Sequence, residues 1–265
     1  LGIRMEKLAD YDYMMQNFYS IHPTTTAGRE LMDAEHFLSM DLSLDLGNGQ
    51  DGSTAQTAPK EPQILIYHTH SQEGYADSVP GDASTSVVGV GDYLTKLLTE
   101  QYGFNVIHHK GEYDVGDRDH AYSKAGPGLE AVRAENPGVE VVIDLHRDGV
   151  AESTRLVTQV NGIQMAQVMF FNGLSRTTAM GDIDYLYNPY IADNLAISFQ
   201  MQLKAAEYYP GFTRRIYLKG YRYNMHYCPK TLLIEVGAQT NTVSEAMNAM
   251  VPLADLLNKV LTAQR

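Results

Sequence analysis

Short apolar runs alternate with longer stretches of helical spacing over most of the chain. Apolar, β-branched runs of this length predict buried strands. The dipeptide Asn161-Gly162 lies between apolar runs at 154–160 and 164–171, and it predicts a two-residue hairpin turn between two strands. Further strands are expected at 64–67, 104–108, 139–145 and 231–236.

Three stretches carry apolar residues at helical spacing. Ser86 is placed to cap the first helix, and Thr242 with Glu245 forms a capping box for the last one. Residues 117–135 give a weaker helical pattern, because Gly126-Pro127-Gly128 interrupts it. Strands that alternate with helices predict an α/β fold, with a mainly parallel or mixed twisted sheet covered by helices on both faces. The apolar stripes are Val87, Val90, Leu94, Leu97 and Leu98, then Ala192, Leu195, Ala196, Phe199 and Leu203, then Ala246, Met250, Leu253, Leu257 and Leu261.

The first 60 residues differ from the rest in pattern. Residues 1–46 are expected to be partly helical, since apolar residues recur at helical spacing until His22-Pro23 stops them. Residues 47–60 are rich in Gly, Ser, Thr and Pro, which predicts a flexible linker. The pattern therefore predicts a catalytic domain at 61–265, preceded by an N-terminal segment and a linker.

Composition narrows the possible functions. The chain has 265 residues, with 20 Lys and Arg against 32 Asp and Glu, and this net charge of −12 argues against a nucleic-acid ligand. Cys228 is the single cysteine, so a metal site must use His and carboxylate ligands. No signal peptide or membrane-spanning run is visible. Because the chain begins with Leu1, we expect a trimmed fragment whose anchor would lie upstream.

Polar residues follow three of the predicted strands. His68, His70 and Glu73 follow the first, and His146 and Glu235 come at the ends of two others. A single histidine at a strand end is usually a structural residue. The carboxyl ends of strands in an open α/β sheet line one crevice, however, so three such endings together predict one site.

The spacing of these residues favours a metal centre. His70 and Glu73 are three residues apart, and a remote His146 completes a set of three ligands that leaves a position for water, as in catalytic zinc sites. His68 would project to the same side as His70 if the strand continued, so the choice between them stays open, with His70 favoured. Glu235 is then the candidate general base, ionised at rest, although it could instead cap a loop amide or pair with an arginine. His108 is expected at the surface.

The motifs together resemble the stage II sporulation protein P family over residues 61–265. The resemblance implies an amidase-like fold related to the zinc-dependent N-acetylmuramoyl-L-alanine amidases, one Zn²⁺ held by His70, Glu73 and His146, and catalysis by Glu235. The segments that carry it are Ile66-Tyr67-His68-Thr69-His70 with Glu73, Ile143-Asp144-Leu145-His146-Arg147-Asp148, Leu233-Ile234-Glu235-Val236-Gly237 with Asn241-Thr242 and Glu245-Ala246, and Asn188 through Ala192 and Leu195 to Tyr209-Pro210-Gly211 and Arg214.

The same resemblance implies a biological role. Family members are membrane-anchored peptidoglycan hydrolases on the extracytoplasmic face, which act during engulfment in endospore formation. They remove stem peptides from glycan strands and also cut peptide cross-links. Their expected partners are a lytic transglycosylase and a small membrane protein that holds the complex.

In the mechanism that we predict, zinc polarises the scissile carbonyl and Glu235 takes a proton from water. Arg147 or His68 would stabilise the oxyanion, and Asp144 or Asp148 would orient a ligand histidine. Two alternatives remain. The first is another zinc hydrolase of a peptide or an N-acyl amino acid, and the second is a catalytically silent scaffold that binds the cell wall.

Overall fold

A computed structural model describes residues 2–45 and 61–262 of the chain. Its main sheet has seven strands in the order β1-β10-β7-β11-β4-β2-β3. The strands of the described residues are β1 Tyr19–Ile21, β2 Ile64–Tyr67, β3 Val106–His108, β4 Val141–Asp148, β5 Val157–Val160, β6 Ile163–Ala166, β7 Val168–Gly173, β8 Arg176–Thr177, β9 Gly181–Asp182, β10 Ile216–Lys219 and β11 Lys230–Ala238. The helices are α1 Tyr11–Phe18, α2 Ala34–Ser39, α3 Val87–Glu100, α4 Ala121–Glu135, α5 Ile191–Tyr208 and α6 Val243–Leu261.

The sheet is mixed, with one antiparallel junction. Strands β11, β4, β2 and β3 are mutually parallel, and so are β1, β10 and β7, while β7 runs antiparallel to β11. Helices cover both faces, as predicted. Residues such as Ile64 and Ile143 share one large core with α3, α5 and α6, whereas Leu65, Tyr67 and Val142 pack against α4 on the other face. The predicted α/β class is confirmed.

The described part of the N-terminal segment joins this sheet. Strand β1 pairs in parallel with β10 at the sheet edge, and α2 packs against α5. Phe18 and Phe37 are buried in the same core as the central strands. Burial of these apolar residues in the main core favours the arrangement, because it removes their surface from water. The predicted linker, residues 47–60, lies outside the described residues.

Several predicted elements differ from the structure in their extent. The hairpin turn is confirmed, since Asn161 and Gly162 both have the positive φ that a type I′ turn requires. The run predicted as one strand at 164–171 is divided between β6, which pairs only with β5, and β7, which enters the main sheet. Helix α4 runs through Pro127 despite the weak pattern.

Candidate active site

Three parallel strands bring the candidate residues to one edge of the sheet. His146 on β4 is the register partner of Glu235 on β11, so their side chains point to the same face, the one that α4 covers. β2 ends at Tyr67, and the turn that follows carries His70 and Glu73 to this face. The structure therefore brings His70, Glu73, His146 and Glu235 into one cluster.

Glu73 is fixed by one histidine and two arginines. Its Oε1 lies 3.0 Å from His146 Nδ1, and its Oε2 accepts a hydrogen bond from Arg118 at 3.2 Å. The backbone N–H of Arg147 points to Oε1 at 3.4 Å. Burial alone would raise the pKa of Glu73, but His146 and Arg147 outweigh it and hold the pKa below its usual value.

Asp144 orients two parts of the cluster. Its Oδ1 lies 2.7 Å from His146 Nε2 and accepts a hydrogen bond from the Thr69 backbone N–H at 3.0 Å. Its Oδ2 accepts a hydrogen bond from the Thr69 hydroxyl at 2.7 Å. Burial alone would lower the pKa of His146, yet Asp144 and Glu73 raise it well above its usual value. One buried carboxylate thus fixes both the imidazole of His146 and the turn that leads to His70.

Two ring nitrogens in the cluster are buried without a hydrogen-bond partner among the described residues, namely His70 Nδ1 and His146 Nε2. The short approach of His146 Nε2 to Asp144 has the distance of an ion pair but not the geometry of a hydrogen bond. The two imidazoles lie side by side, with ring centroids 5.3 Å apart. Such unpaired buried nitrogens are costly unless a ligand satisfies them.

The carboxyl of Glu235 is buried in the cluster. Its Oε2 is buried without a hydrogen-bond partner among the described residues. Burial, and then the neighbouring Asp148, raise the pKa of Glu235 to about 8. Burial therefore opposes the ionised form of Glu235 that the sequence predicts for a general base. The physical reason is desolvation, which disfavours a charged carboxylate.

His68 lies on the other side of the sheet. Because β2 ends at Tyr67, the expectation that His68 and His70 project to one side does not hold. His68 is 0% exposed, with Nδ1 2.7 Å from the Leu145 carbonyl and Nε2 2.7 Å from His108 Nε2. Burial lowers the pKa of His68 to about 3. His68 therefore cannot contact a substrate in this conformation. The placement of His108 at the surface was wrong, since His108 is packed between His68 and Asp92.

Arg147 and Asp148 flank the cluster and have partners of their own. Arg147 Nε donates to the Gly74 carbonyl at 2.7 Å, which secures the segment after Glu73. Asp148 accepts from Arg214 at 2.8 Å and does not contact His146. The role of orienting a histidine thus falls to Asp144 in this geometry, and Arg147 is occupied with Glu73 and Gly74 rather than free to meet an oxyanion.

Three residues that sequence reasoning missed complete the surroundings. The Tyr122 ring on α4 lies edge-on to His70, at 5.6 Å, and stacks on His146, at 6.3 Å. Asp114 accepts from the Ser71 hydroxyl at 3.1 Å and so braces the turn after β2. Arg118 contacts Glu73 as described above. These residues lie in loops and in the weakly predicted helix, and no spacing in the sequence connects them with the strand ends.

The donor set fits a zinc ion in its chemistry. Two imidazoles and one carboxylate form a known ligand set for catalytic zinc, and His70 Nδ1 is buried without a hydrogen-bond partner among the described residues. Among residues 2–45 and 61–262, however, no group of three or more His, Cys, Asp or Glu side chains is arranged to hold a metal ion. Glu73 and His146 contact each other instead, and metal binding requires them to give up that contact.

Comparisons with known proteins agree with the resemblance seen in the sequence. The family model for stage II sporulation protein P matches residues 17–258. The stage II sporulation protein P of Bacillus subtilis (strain 168) is 23% identical over 232 residues, which cover 80% of this chain and 54% of the relative. The chain thus spans about half the length of this curated relative.

Solved structures resemble the fold more distantly. The CwlD amidase from Clostridioides difficile, solved with the GerS lipoprotein, is 13% identical, with a TM-score of 0.44 over 75% of this chain and 98% of that chain. The N-acetylmuramoyl-L-alanine amidase AmiC2 of Nostoc punctiforme is 14% identical, with a TM-score of 0.41 over 75% and 94%. At such scores the fold assignment rests on this chain's own sheet topology. No helix in the described parts of the chain is long and apolar enough to cross a membrane.

Proposed function

The chain belongs to the stage II sporulation protein P family, and from this premise we propose that it is a zinc-dependent peptidoglycan hydrolase. Its substrate would be the amide between N-acetylmuramic acid and the L-alanine of the stem peptide. The observation that carries the proposal is the cluster of His70, Glu73, His146 and Glu235 at the carboxyl ends of three parallel strands. In this cluster, His70 Nδ1 and Glu235 Oε2 are buried without a hydrogen-bond partner among the described residues, and His146 Nδ1 lies 3.0 Å from Glu73.

His70, Glu73 and His146 would hold the zinc ion. Bound there, zinc would act as a Lewis acid on the scissile carbonyl and make a bound water more acidic. Asp144 contacts the His146 ring, and Arg118 and Arg147 contact Glu73, so these partners would set the direction of the ligands once Glu73 and His146 have given up their mutual contact. This supporting arrangement is typical of metal sites in which partners of the ligands set their direction.

Glu235 would move the proton. A nearby divalent cation favours the ionised form of a carboxyl, which opposes the effect of burial on the pKa of Glu235. Its Oε2, unpaired in this structure, would then accept a proton from the attacking water. The water oxygen bonds to the carbonyl carbon, the C–N bond breaks, and Glu235 delivers the proton to the nitrogen of L-alanine.

The setting of the reaction follows from the family. We propose that the protein acts on the extracytoplasmic face of the membrane during engulfment, through an anchor outside this chain. Glycan strands and their stem peptides would be the substrate, and cleavage of peptide cross-links a second activity. A lytic transglycosylase and a small membrane protein are the proposed partners.

Metal content tests the proposal. Purified protein is expected to hold about one zinc per chain by elemental analysis, and removal by a chelator should stop hydrolysis of muropeptides. Glu73→Gln keeps the size of the side chain but removes the charge, so it should lose most of the zinc. Glu112→Gln, outside the cluster, is the matched control and should keep it. Full hydrolysis by protein shown to be free of metal would refute the zinc mechanism, and zinc without hydrolysis would favour the silent scaffold.

A further inference from the structure

A pocket of about 350 Å³ lies directly beside the cluster, between α4 and residues 221–227. Four of its lining residues are tyrosines, namely Tyr122, Tyr221, Tyr223 and Tyr227. Tyr122 belongs to both the pocket and the cluster, because its ring also packs against His70 and His146. Tyr122 therefore borders both the pocket and the candidate metal ligands, and a substrate that extends past Tyr122 would reach both.

Two residues that line the pocket have a left-handed backbone conformation, which is unfavourable for L residues. Tyr223 and Asn224 are consecutive non-glycine residues with φ of 53° and 58°, a region that L side chains rarely adopt. The Asn224 side chain donates to the Tyr122 carbonyl at 2.8 Å and ties this turn to α4. Gly173 makes room for the turn, since a Cβ there would lie 2.3 Å from the Tyr221 carbonyl oxygen and 2.7 Å from the Tyr223 ring.

Helix α4 contributes polar groups to the same pocket. Pro127 has no amide hydrogen to donate to the carbonyl of Ser123, so the usual helical bond cannot form there. Ser123 is one of the residues that line the pocket. Gly126 allows the Tyr227 side chain to approach, because a Cβ there would lie 2.7 Å from the Tyr227 hydroxyl oxygen. The wall thus combines flat aromatic faces with hydrogen-bonding oxygens.

The lining combines four aromatic rings with a single charged side chain. None of the lining residues is acidic, although the chain carries 32 Asp and Glu. Arg222 is the one charged residue of the lining, and its guanidinium donates to the Tyr187 carbonyl at 3.0 Å. The cations around the cluster, Arg118, Arg147 and Arg214, do not line the pocket and are paired with Glu73 and Asp148. A neutral ring with one apolar face and several hydroxyls matches this lining.

We propose that this pocket binds the amino-sugar ring on the carbonyl side of the scissile amide, with Tyr221 stacked on its apolar face. The assignment rests on the proposed function, which places an N-acetylmuramic acid residue on that side of the bond. Tyr221 suits the role because it lines the pocket and is 56% exposed. The pocket then selects peptides that are still attached to glycan.

The experiment compares two substrates that share one amide bond. One is an N-acetylmuramoyl peptide, and the other is the same peptide carrying D-lactate without the sugar. Wild-type, zinc-loaded chain should prefer the first. Tyr221→Ala should lower kcat/KM for the sugar-bearing substrate about tenfold, mainly through KM, which corresponds to about 1.4 kcal/mol. It should leave kcat/KM for the lactoyl peptide unchanged, and Tyr221→Phe should stay near wild type on both.

Tyr185→Ala is the matched control, because Tyr185 is a neighbouring tyrosine, 70% exposed, that does not line the pocket. Tyr185→Ala should leave kcat/KM unchanged for both substrates. Equal losses on both substrates with Tyr221→Ala would show that the pocket contacts the peptide, and no loss would show that the pocket is unused. Either result overturns the assignment and leaves the proposed function standing.

A binding measurement separates this assignment from the reaction itself. Calorimetric titration with the disaccharide of N-acetylglucosamine and N-acetylmuramic acid should show binding to wild type and weaker binding to Tyr221→Ala, with circular dichroism as the check on folding. If wild type hydrolyses neither substrate but binds the disaccharide through Tyr221, the proposed reaction fails and the pocket stands. Absence of binding to wild type overturns the pocket.

Discussion

Replacement of Phe18 by alanine tests whether the N-terminal segment belongs to the catalytic fold. Phe18 ends α1, is 1% exposed, and has its ring centroid 5.1 Å from that of Phe199 on α5. Phe37 of α2 lies 5.8 Å from the same ring. Removal of Phe18 therefore opens a cavity between this segment and a helix that covers the central sheet.

The expected loss is large. Truncation of a buried phenylalanine to alanine costs about 3–5 kcal/mol in the free energy of unfolding. For a chain of this size each kcal/mol lowers Tm by about 2–4 °C, so Tm should fall by roughly 6–20 °C. Thermal unfolding followed by circular dichroism measures the change. Met5→Ala is the control, since Met5 is 57% exposed and its loss should change the free energy of unfolding by less than about 0.5 kcal/mol.

The boundary predicted near Glu61 gives the opposite expectation. If residues 61–265 fold independently, Phe18→Ala will leave the main transition at its wild-type Tm, and a chain that starts at Glu61 will unfold at that temperature too. Either outcome would refute the inference that the segment stabilises the sheet.

Four further substitutions test the site and the fold that supports it. Glu235→Gln should keep zinc and fold but lower kcat by about 10²–10⁴, measured on muropeptides, because it removes only the proton acceptor; loss of zinc would make Glu235 a ligand. His70→Ala should lose zinc by elemental analysis, whereas His68→Ala should keep it and lower Tm, since His68 is buried on the other face. If His68→Ala loses zinc and His70→Ala keeps it, His68 is the ligand instead of His70. Thr242→Ala removes the cap of α6, where the hydroxyl accepts from the Glu245 N–H at 3.1 Å, and should cost about 1 kcal/mol in urea unfolding. An unchanged urea midpoint would show that the cap contributes nothing.

Local patterns predicted the elements that can be recognised from neighbouring residues alone, such as continuous apolar strands, capped helices and short turns. The strand at 64–67, the helix after Ser86 and the Asn161-Gly162 turn all lie where their residues indicate. Strand β1 was not predicted, because three residues carry no period and its pairing with β10 joins positions about 200 residues apart. Helix α4 looked weak because Gly126 and its neighbours suit close packing against tyrosines better than isolated helix formation.

The candidate site, too, could be predicted only in part from the sequence. The rule that strand ends line a crevice was enough to bring His146 and Glu235 together, because it depends only on strand order and direction. It could not give the direction of His68, which depends on β2 ending at Tyr67. The raised pKa of Glu235 and the contact of Tyr122 with His70 come from long-range packing, and no sequence pattern records them.

The products released from purified sacculi test the central claim most directly. Zinc-loaded chain should release stem peptides with a free amino group on L-alanine and leave glycan strands without peptides, as seen by mass spectrometry. Chelation and Glu235→Gln should both abolish these products. Products in which L-alanine remains attached to the sugar, or the same products from protein stripped of metal, would contradict a zinc amidase.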